Sequence, residues 1–144
     1  MPRKSTPLPA ERRSPCPLAC SLDIFGDRWT LLVIRDLMLG KARFKDFTAS
    51  PEGIPTNILT ERLERLMHHE MVERVADAAG SKHPAYRLTE KGRSVLPVLG
   101  AIRDWGLKWE KGTRDFLTAG RARVEGSCPE DGLPKVEEAA AGAL

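Results

Sequence analysis

The sequence predicts a mainly α-helical fold with one small β-hairpin, and three observations support this fold class. Residues 53–90 contain an amphipathic helix, a short strand, a turn with Gly and Ser, and a second short strand, in that order. Two apolar helical segments precede this region. A longer segment with nearly heptad-spaced apolar residues follows it. We therefore expect a winged helix-turn-helix that is extended by N- and C-terminal dimerisation helices.

Charge is unevenly distributed along the 144 residues, although the formal net charge is only +3. Residues 1–15 hold four prolines and four basic residues against one acidic residue, which is typical of a disordered basic arm. Residues 124–144 hold five acidic residues against one basic residue and indicate a flexible acidic tail. Residues 16–123 are left to form the single folded domain. A body that is more basic than the whole chain is compatible with a nucleic-acid partner.

Composition argues against a membrane or secreted protein. No apolar run approaches the roughly 20 residues of a membrane-spanning helix, and the basic start is followed by Pro and Ser rather than by an apolar signal core. The three cysteines, Cys16, Cys20 and Cys128, are too few and too unevenly placed for a disulfide framework. We expect a cytoplasmic protein of bacterial type.

The chain carries no motif for catalysis or for binding a metal. It lacks a nucleophile elbow, a Gly-rich phosphate loop and a paired-carboxylate motif. His68 and His69 are adjacent and therefore face different directions on a helix, and no CxxC or HxxxH pair is present. We predict neither an enzyme nor a bound cofactor or metal.

Capping residues delimit the first two helices. Pro17 suits the first position of a helix that ends at Gly26. Asp27 caps a second helix that ends at Gly40. Both helices are short and apolar on one side.

The middle of the chain predicts the remaining parts of the helix-turn-helix. A third helix covers residues 44–49, and residues 42–43 are expected to add a very short strand to the sheet. The fourth helix, residues 55–69, carries an apolar stripe formed by Leu59, Leu63 and Leu66. Residues 71–75 and 85–88 alternate as strands on either side of a loop.

The C-terminal part predicts one long helix that Thr89 caps and that Pro97 kinks. Its apolar residues follow a seam longer than one small domain needs, which favours a symmetric dimer. The residues predicted at the dimer interface come from the first and the last helix: Leu18, Leu22, Val95, Leu99, Ile102, Trp105 and Trp109.

A set of motifs along residues 16–106 is similar to one known family. They are Cys16-Pro17, residues 26–32, 40–44, 53–54, Leu59, Arg62-Leu63, Leu66, 72–74, 86–89, Gly92 and Trp105. Together they resemble the HxlR-type transcriptional regulators, which are relatives of the MarR group. The resemblance implies a winged-helix dimer whose partners are double-stranded operator DNA and a second copy of the chain. It also implies that the domain represses or activates transcription.

One position departs from the resembled family. Glu70 follows the fourth helix, where the family usually has Gly. A left-handed C-terminal cap would strain Glu by about 1 kcal/mol. We therefore expect this helix end to close differently.

The fourth helix is the candidate recognition helix, because the second helix of a helix-turn-helix reaches base edges with its N-terminal residues. The base-reading candidates are Thr56, Asn57, Thr60 and Glu61. Asn pairs with adenine, Thr contacts the thymine methyl group, and Glu accepts a hydrogen bond from cytosine. Arg62 and Arg65 lie at the flanks and suit phosphate contacts. The alternative is a solvated face with ion pairs such as Glu61–Arg65.

The wing and the third helix supply further candidates for the DNA backbone. In the wing they are Ser81, Lys82, His83 and Arg87, and the alternative there is a soluble loop. Arg43 and Lys45, at the start of the third helix, suit phosphate contacts or serve as solubilising charges.

Two cysteines lie near the start of the first helix. Cys16 precedes Pro17, where the helix dipole favours the thiolate form. The resemblance implies a sensor role for Cys16, because several relatives use a cysteine at this position to detect electrophiles or oxidants. Cys20 is a candidate resolving thiol, although cysteines four residues apart on a regular helix cannot bridge without fraying. The alternative is that both are packing residues beside the dimer seam.

The function predicted from the sequence is that of a sequence-specific DNA-binding regulator of transcription. We expect a dimeric repressor whose effector is a thiol-reactive or other small molecule. The alternative is a winged-helix module that binds another protein and has no specific DNA target.

Overall fold

The computed structural model describes residues 12–77 and 79–117 of the chain. Most of the predicted basic arm and all of the predicted acidic tail, including Cys128, lie outside these ranges. The last six residues of the predicted domain, 118–123, also lie outside them. The domain boundaries at residues 16 and 123 therefore stay a prediction.

The described residues form the predicted mainly helical fold with a small antiparallel sheet. The elements are α1 (Pro17–Phe25), α2 (Thr30–Met38), α3 (Phe44–Thr48), α4 (Thr56–His68), β1 (Val72–Val75), β2 (Ala85–Leu88), α5 (Glu90–Arg93) and α6 (Leu96–Trp109). Helices α3 and α4 form the helix-turn-helix, and β1 and β2 form the wing. We call residues 30–88, from α2 to β2, the reading head.

The first two helices begin and end for the predicted reasons, with one shift. Pro17 occupies the first turn of α1, and Gly26 follows its last residue. Helix α2 begins at Thr30, three residues later than Asp27. Asp27 still caps it, because its Oδ1 accepts hydrogen bonds from the backbone N–H groups of Trp29 (2.8 Å) and Thr30 (3.0 Å).

Helix α4 buries its leucine stripe and ends in the left-handed cap that the sequence argued against. Leu59, Leu63 and Leu66 are at most 1% exposed. Glu70 has a φ of 59°, and the N–H of Met71 donates to the carbonyl oxygen of Leu66 at 2.9 Å. This is the Schellman arrangement. The prediction that the helix closes differently is wrong, because burial of Met71 and Leu66 outweighs the strain at Glu70.

The wing is a two-stranded antiparallel hairpin in which Val72 pairs with Leu88 and Val75 pairs with Ala85. The predicted third strand at residues 42–43 does not form within the described part of the chain. Ala42 contributes one carbonyl oxygen, which accepts a hydrogen bond from the N–H of Tyr86 at 2.8 Å. This hydrogen bond helps to attach the wing to the turn between α2 and α3.

The predicted long final helix is two helices. Thr89 does act as a cap, since its hydroxyl accepts a hydrogen bond from Gly92 N at 3.1 Å, but it caps the short α5. Helix α6 starts at Leu96, and Pro97 lies in its first turn. Pro lacks an N–H group and its ring clashes with the preceding turn, so it starts a new helix more readily than it continues one.

The core gathers the reading head and the inner side of α6. Its members are Val33, Ile34, Leu37, Phe47, Ile54, Leu59, Leu63, Leu66, Met71, Val72, Tyr86, Leu88, Val95 and Leu99. Val95 and Leu99 were predicted at the dimer interface, but they are only 6% and 7% exposed within the single chain. They therefore have little surface left for a partner. The heptad spacing misassigned them because it does not distinguish the two apolar sides of one helix.

The outer faces of α1 and α6 remain apolar and exposed. Leu18 and Leu22 on α1 are 67% and 50% exposed, and Ile102, Trp105 and Trp109 on α6 are 52%, 60% and 61% exposed. None of the helices within the described ranges is long and apolar enough to span a bilayer.

Candidate DNA-binding interface

The base-reading candidates share the exposed N-terminal half of α4. Thr56, Asn57, Thr60 and Glu61 are all exposed. Pro55 precedes the helix in an extended conformation, and the hydroxyl of Thr60 donates to the carbonyl oxygen of Thr56 at 3.0 Å. These side chains are therefore available to a partner that approaches this end of the helix.

Arg62 does not lie at an exposed flank as the sequence predicted. Its side chain is 13% exposed, and its Nε lies 2.9 Å from Oδ1 of Asp27. Its Nη1 lies 2.7 Å from Oε1 of Glu61. Glu61 thus pairs with its neighbour Arg62 rather than with Arg65. Two of the three nitrogens of the Arg62 guanidinium, Nε and Nη1, are therefore paired with carboxylates of the protein.

Arg65 also faces the N-terminal helices. Its Nη2 donates to the carbonyl oxygen of Asp23 in the last turn of α1. Its Nη1 lies 4.0 Å from Oδ2 of Asp27, and its side chain is 33% exposed. Arg65 therefore keeps more contact with solvent than Arg62 does.

Asp27 is the residue at which these contacts meet. Burial alone would raise the pKa of its carboxyl group. Hydrogen bonds from the Thr30 side chain, the Trp29 backbone and the Arg62 side chain outweigh burial and hold the pKa well below its ordinary value of 3.8. Asp27 is therefore an anion throughout the neutral pH range.

Of the polar candidates in the wing, three are exposed at its tip and one forms an ion pair across the hairpin. Ser81, Lys82 and His83 are exposed at the tip, where the N–H of His83 donates to the Ser81 hydroxyl at 3.2 Å. Arg87 pairs across the hairpin with Glu73, at 2.6 Å from Nε to Oε1, and its side chain is 64% exposed. An exposed pair of this kind is weak, so Arg87 can exchange Glu73 for a phosphate.

The start of α3 holds one paired and one exposed cation. Nη2 of Arg43 lies 2.8 Å from Oδ2 of Asp77, which follows β1, whereas Lys45 is exposed. The pKa of Asp77 is lowered first by the hydrogen bond from the Ala79 backbone and then by Arg43. Arg43 therefore attaches the wing to α3, and Lys45 is the more available cation of the two.

The two cysteines at the N-terminal end of α1, Cys16 and Cys20, are both free thiols. Cys16 is exposed and immediately precedes the helix. Cys20 is half-buried, and its Sγ donates to the carbonyl oxygen of Ser14 at 3.1 Å. Within the described residues no three His, Cys, Asp or Glu side chains come together as a metal site.

A polar cluster around the buried side chain of Asp36 was missed by the sequence analysis. Arg35 on α2 contacts Oε1 of Glu52 at 2.7 Å and Oδ1 of Asp36 at 2.8 Å. Asp36 is 4% exposed and accepts a hydrogen bond from the Ser50 hydroxyl. Nζ of Lys41 lies 3.3 Å from Oδ2 of Asp36 as an ion pair. The hydrogen bond with Glu52 raises the pKa of Arg35. The cluster holds the turn before α4 against α2.

A family model described as HxlR-like helix-turn-helix matches residues 24–114 of this chain. The chain belongs to this family. The resemblance found in the sequence motifs is confirmed, and the protein is a transcriptional regulator of the helix-turn-helix type. The prediction that it is not an enzyme is also confirmed, because the family and the relatives described below are transcriptional regulators.

Individual relatives agree with the family assignment. This chain is 34% identical over 106 residues to the uncharacterized HTH-type transcriptional regulator YdeP of Bacillus subtilis. The aligned region covers 74% of this chain and 82% of YdeP. Among solved structures, the candidate transcription factor PA1607 has a TM-score of 0.63 at 33% identity, over 94% of this chain and 83% of PA1607. Quinone-bound YodB of B. subtilis has a TM-score of 0.55 at 34% identity, over 65% of this chain and 100% of YodB. These likenesses confirm the winged-helix fold.

Proposed function

We propose that this HxlR-like regulator binds a two-fold symmetric operator in the cytoplasm as a homodimer and represses transcription. The observation that carries the proposal is the exposed row of Thr56, Asn57, Thr60 and Glu61 at the N-terminal half of α4. These residue types match base edges in the major groove. The exposed wing tip lies on the same reading head and suits the adjacent backbone.

The test is selection from a random-sequence duplex library, followed by fluorescence anisotropy on the selected DNA and on the DNA upstream of the protein's own gene. We expect one enriched sequence with two-fold symmetry and binding that survives scrambled competitor. The variant Asn57→Ala should lose discrimination at one base pair, worth about 1–3 kcal/mol. No binding even at low salt would contradict the proposal and favour the protein-docking alternative.

The dimer is proposed from the outer faces of α1 and α6. Leu22 and Ile102 are each about half exposed, at 50% and 52%. Exposed apolar patches of this kind mark interaction sites, and a two-fold operator requires a two-fold reader. Ile102→Glu should dissociate the dimer in sedimentation experiments. Leu107→Glu is the matched control, because Leu107 is 44% exposed but points about 140° away around an ideal helix.

The effector proposal rests on Cys16, which is exposed at the start of α1. We infer that the Cys16 thiolate adds to a ring carbon of a quinone-type electrophile and forms a sulfur–carbon bond. One quinone oxygen takes a proton from solvent and the hydrogen of the attacked carbon moves to the other oxygen, which gives a thioether-linked hydroquinone. The support is the exposed thiol together with the quinone-bound state of the similar protein YodB. Treatment with benzoquinone should release wild-type protein and the Cys20→Ser control from DNA. A Cys16→Ser variant that is released equally well would contradict the proposal.

A further inference from the structure

Two arginines of the recognition helix face the junction between α1 and α2. Arg62 contacts Asp27 at 2.9 Å with a side chain that is only 13% exposed. Arg65, one turn away in sequence, donates to the carbonyl oxygen of Asp23. The contacts span 35 and 42 residues of sequence, so each joins helices that are distant along the chain.

The Asp27 carboxylate contacts both the start of α2 and Arg62 of α4. It caps α2 through Trp29 and Thr30 and also accepts from the Thr30 hydroxyl. The same Oδ1 accepts from Nε of Arg62. Any rotation of α4 relative to the start of α2 must therefore break a charge-assisted hydrogen bond.

A phosphate role for Arg62 conflicts with this geometry. A guanidinium must present N–H groups to solvent before it can bind a phosphate oxygen. Nε of Arg62 is committed to Asp27 and Nη1 to Glu61, within a side chain that is 87% covered, the complement of its 13% exposure. The burial of this cation is compensated by Asp27, which raises the pKa of Arg62 although burial by itself would lower it.

We propose that Arg62 is a positioning residue, which sets the angle of the recognition helix through Asp27, and that Arg65 is a second attachment through the Asp23 carbonyl. This inference deepens the proposed function and rests on it. The Asp27 in the Gly26–Trp29 motif thereby gains a role that is independent of DNA contact. The pair acts on base reading through geometry and not through charge.

The sign of the Asp27→Asn effect separates positioning from electrostatics. Removing an acid near a DNA-binding surface should raise affinity for a polyanion. Loss of the positioning contact should instead lower affinity for the selected duplex, by about tenfold or about 1.4 kcal/mol. Asn retains an oxygen for the cap of α2 but removes the negative charge that pairs with Arg62. Glu64→Gln is the matched control, since Glu64 is an exposed acid on the same α4.

The salt dependence of binding gives a second, independent readout. A lost phosphate contact lowers the slope of log K against log salt by about 0.9 for every duplex. We expect Arg62→Met to weaken binding to the selected duplex while leaving both the slope and the affinity for scrambled duplex unchanged. Arg62→Lys keeps the charge and would rescue a phosphate contact, but it should fail to rescue a contact that requires the guanidinium fork.

A double-mutant cycle between Asp27→Asn and Arg62→Met completes the test. If the two residues act through each other, the double variant should bind the selected duplex as the worse single variant does. Additive losses, a lowered slope for Arg62→Met, or tighter binding by Asp27→Asn would each overturn the proposal. Binding is measured well below each unfolding midpoint, so that loss of folded protein does not imitate loss of positioning.

The two proposals fail in different ways. If the wild-type protein selects no sequence, the proposed function fails. In that case the double-mutant cycle is measured as changes in the free energy of unfolding. Additive changes for Asp27→Asn and Arg62→Met would show that the Asp27–Arg62 contact does not form, and would overturn the positioning role as well.

Discussion

Apolar side chains are buried in the reading head but exposed on the outer faces of the flanking helices. Inside the head, Phe47 and Leu63 are each 1% exposed. On the flanking helices, Leu18 is 67% exposed and Trp109 is 61% exposed. Burial of apolar area is the main favourable term in folding. The head therefore has a buried core, which includes Leu99 from the inner side of α6, whereas the outer faces of α1 and α6 leave apolar area exposed within the described residues.

The largest expected effect separates two phenylalanines. Phe47 lies in the head, with its ring centroid 6.4 Å from that of Tyr86, and Phe116 is 48% exposed beyond α6. Phe47→Ala should lower the free energy of unfolding by about 3–5 kcal/mol, because it leaves a cavity. Phe116→Ala should change it by less than about 0.5 kcal/mol. Equal losses in urea unfolding would remove the distinction between the two regions.

The next effect concerns the flanking helices. Trp105 is 60% exposed on the outer face of α6. Trp105→Ala should weaken self-association by at least about 2 kcal/mol, because buried tryptophans dominate many interfaces. Sedimentation equilibrium measures this change. An unaltered dimer would show that the outer face of α6 is not the interface.

A smaller effect is expected at the junction between the two regions. Asp27→Asn should cost about 1–2 kcal/mol of folding free energy at neutral pH, since it replaces the charged acceptor of several hydrogen bonds by a neutral one. The folded-state pKa of Asp27 lies below its ordinary value of 3.8. Its contribution is therefore fully present above the unfolded pKa and is lost as the pH falls through the folded pKa.

Urea unfolding between pH 7 and pH 2 checks this sign. The difference in unfolding free energy between wild type and Asp27→Asn should be constant above about pH 4 and should shrink at lower pH. A difference that stays constant down to pH 2 would show that Asp27 is not held as an anion by its partners.

The smallest effect is expected at the wing tip. Lys82→Ala should lower the slope of log K against log salt by about 0.9 on selected and scrambled duplexes alike, as the loss of one phosphate contact does. Lys111→Ala is the matched control, because Lys111 is also exposed but follows α6. Identical slopes for the two variants would exclude a wing-tip contact.

Local signals explain what the sequence predicted correctly. The spacing of Leu59, Leu63 and Leu66 places one buried stripe on α4. Two short runs with β-branched or aromatic residues, 72–75 and 85–88, lie on either side of a turn with Gly and Ser and predict the hairpin. Pro17 and Gly26 delimit α1 because their backbone preferences act over a few residues. Features of this kind depend only on neighbours in sequence.

Features that depend on distant contacts were missed or misassigned. Arg62 looked like an exposed cation because its partner Asp27 lies 35 residues earlier. Glu70 adopted the left-handed cap because Met71 packs in the core, which no local pattern reveals. The same holds for Arg35 and Glu52, which are 17 residues apart. Pairing and packing across the fold decide these side chains.

The three tryptophans allow assembly of the protein to be followed by intrinsic fluorescence. Trp105 and Trp109 are in water on the single chain, at 60% and 61% exposure, so their emission should move to shorter wavelength when a second copy covers them. Trp29 is half-buried and donates its backbone N–H to Asp27. The emission wavelength of Trp105 and Trp109, measured as unlabelled protein is diluted, would therefore report dissociation of the dimer. In a Trp105→Phe, Trp109→Phe variant, only Trp29 would remain, and its emission would report on the turn that precedes α2.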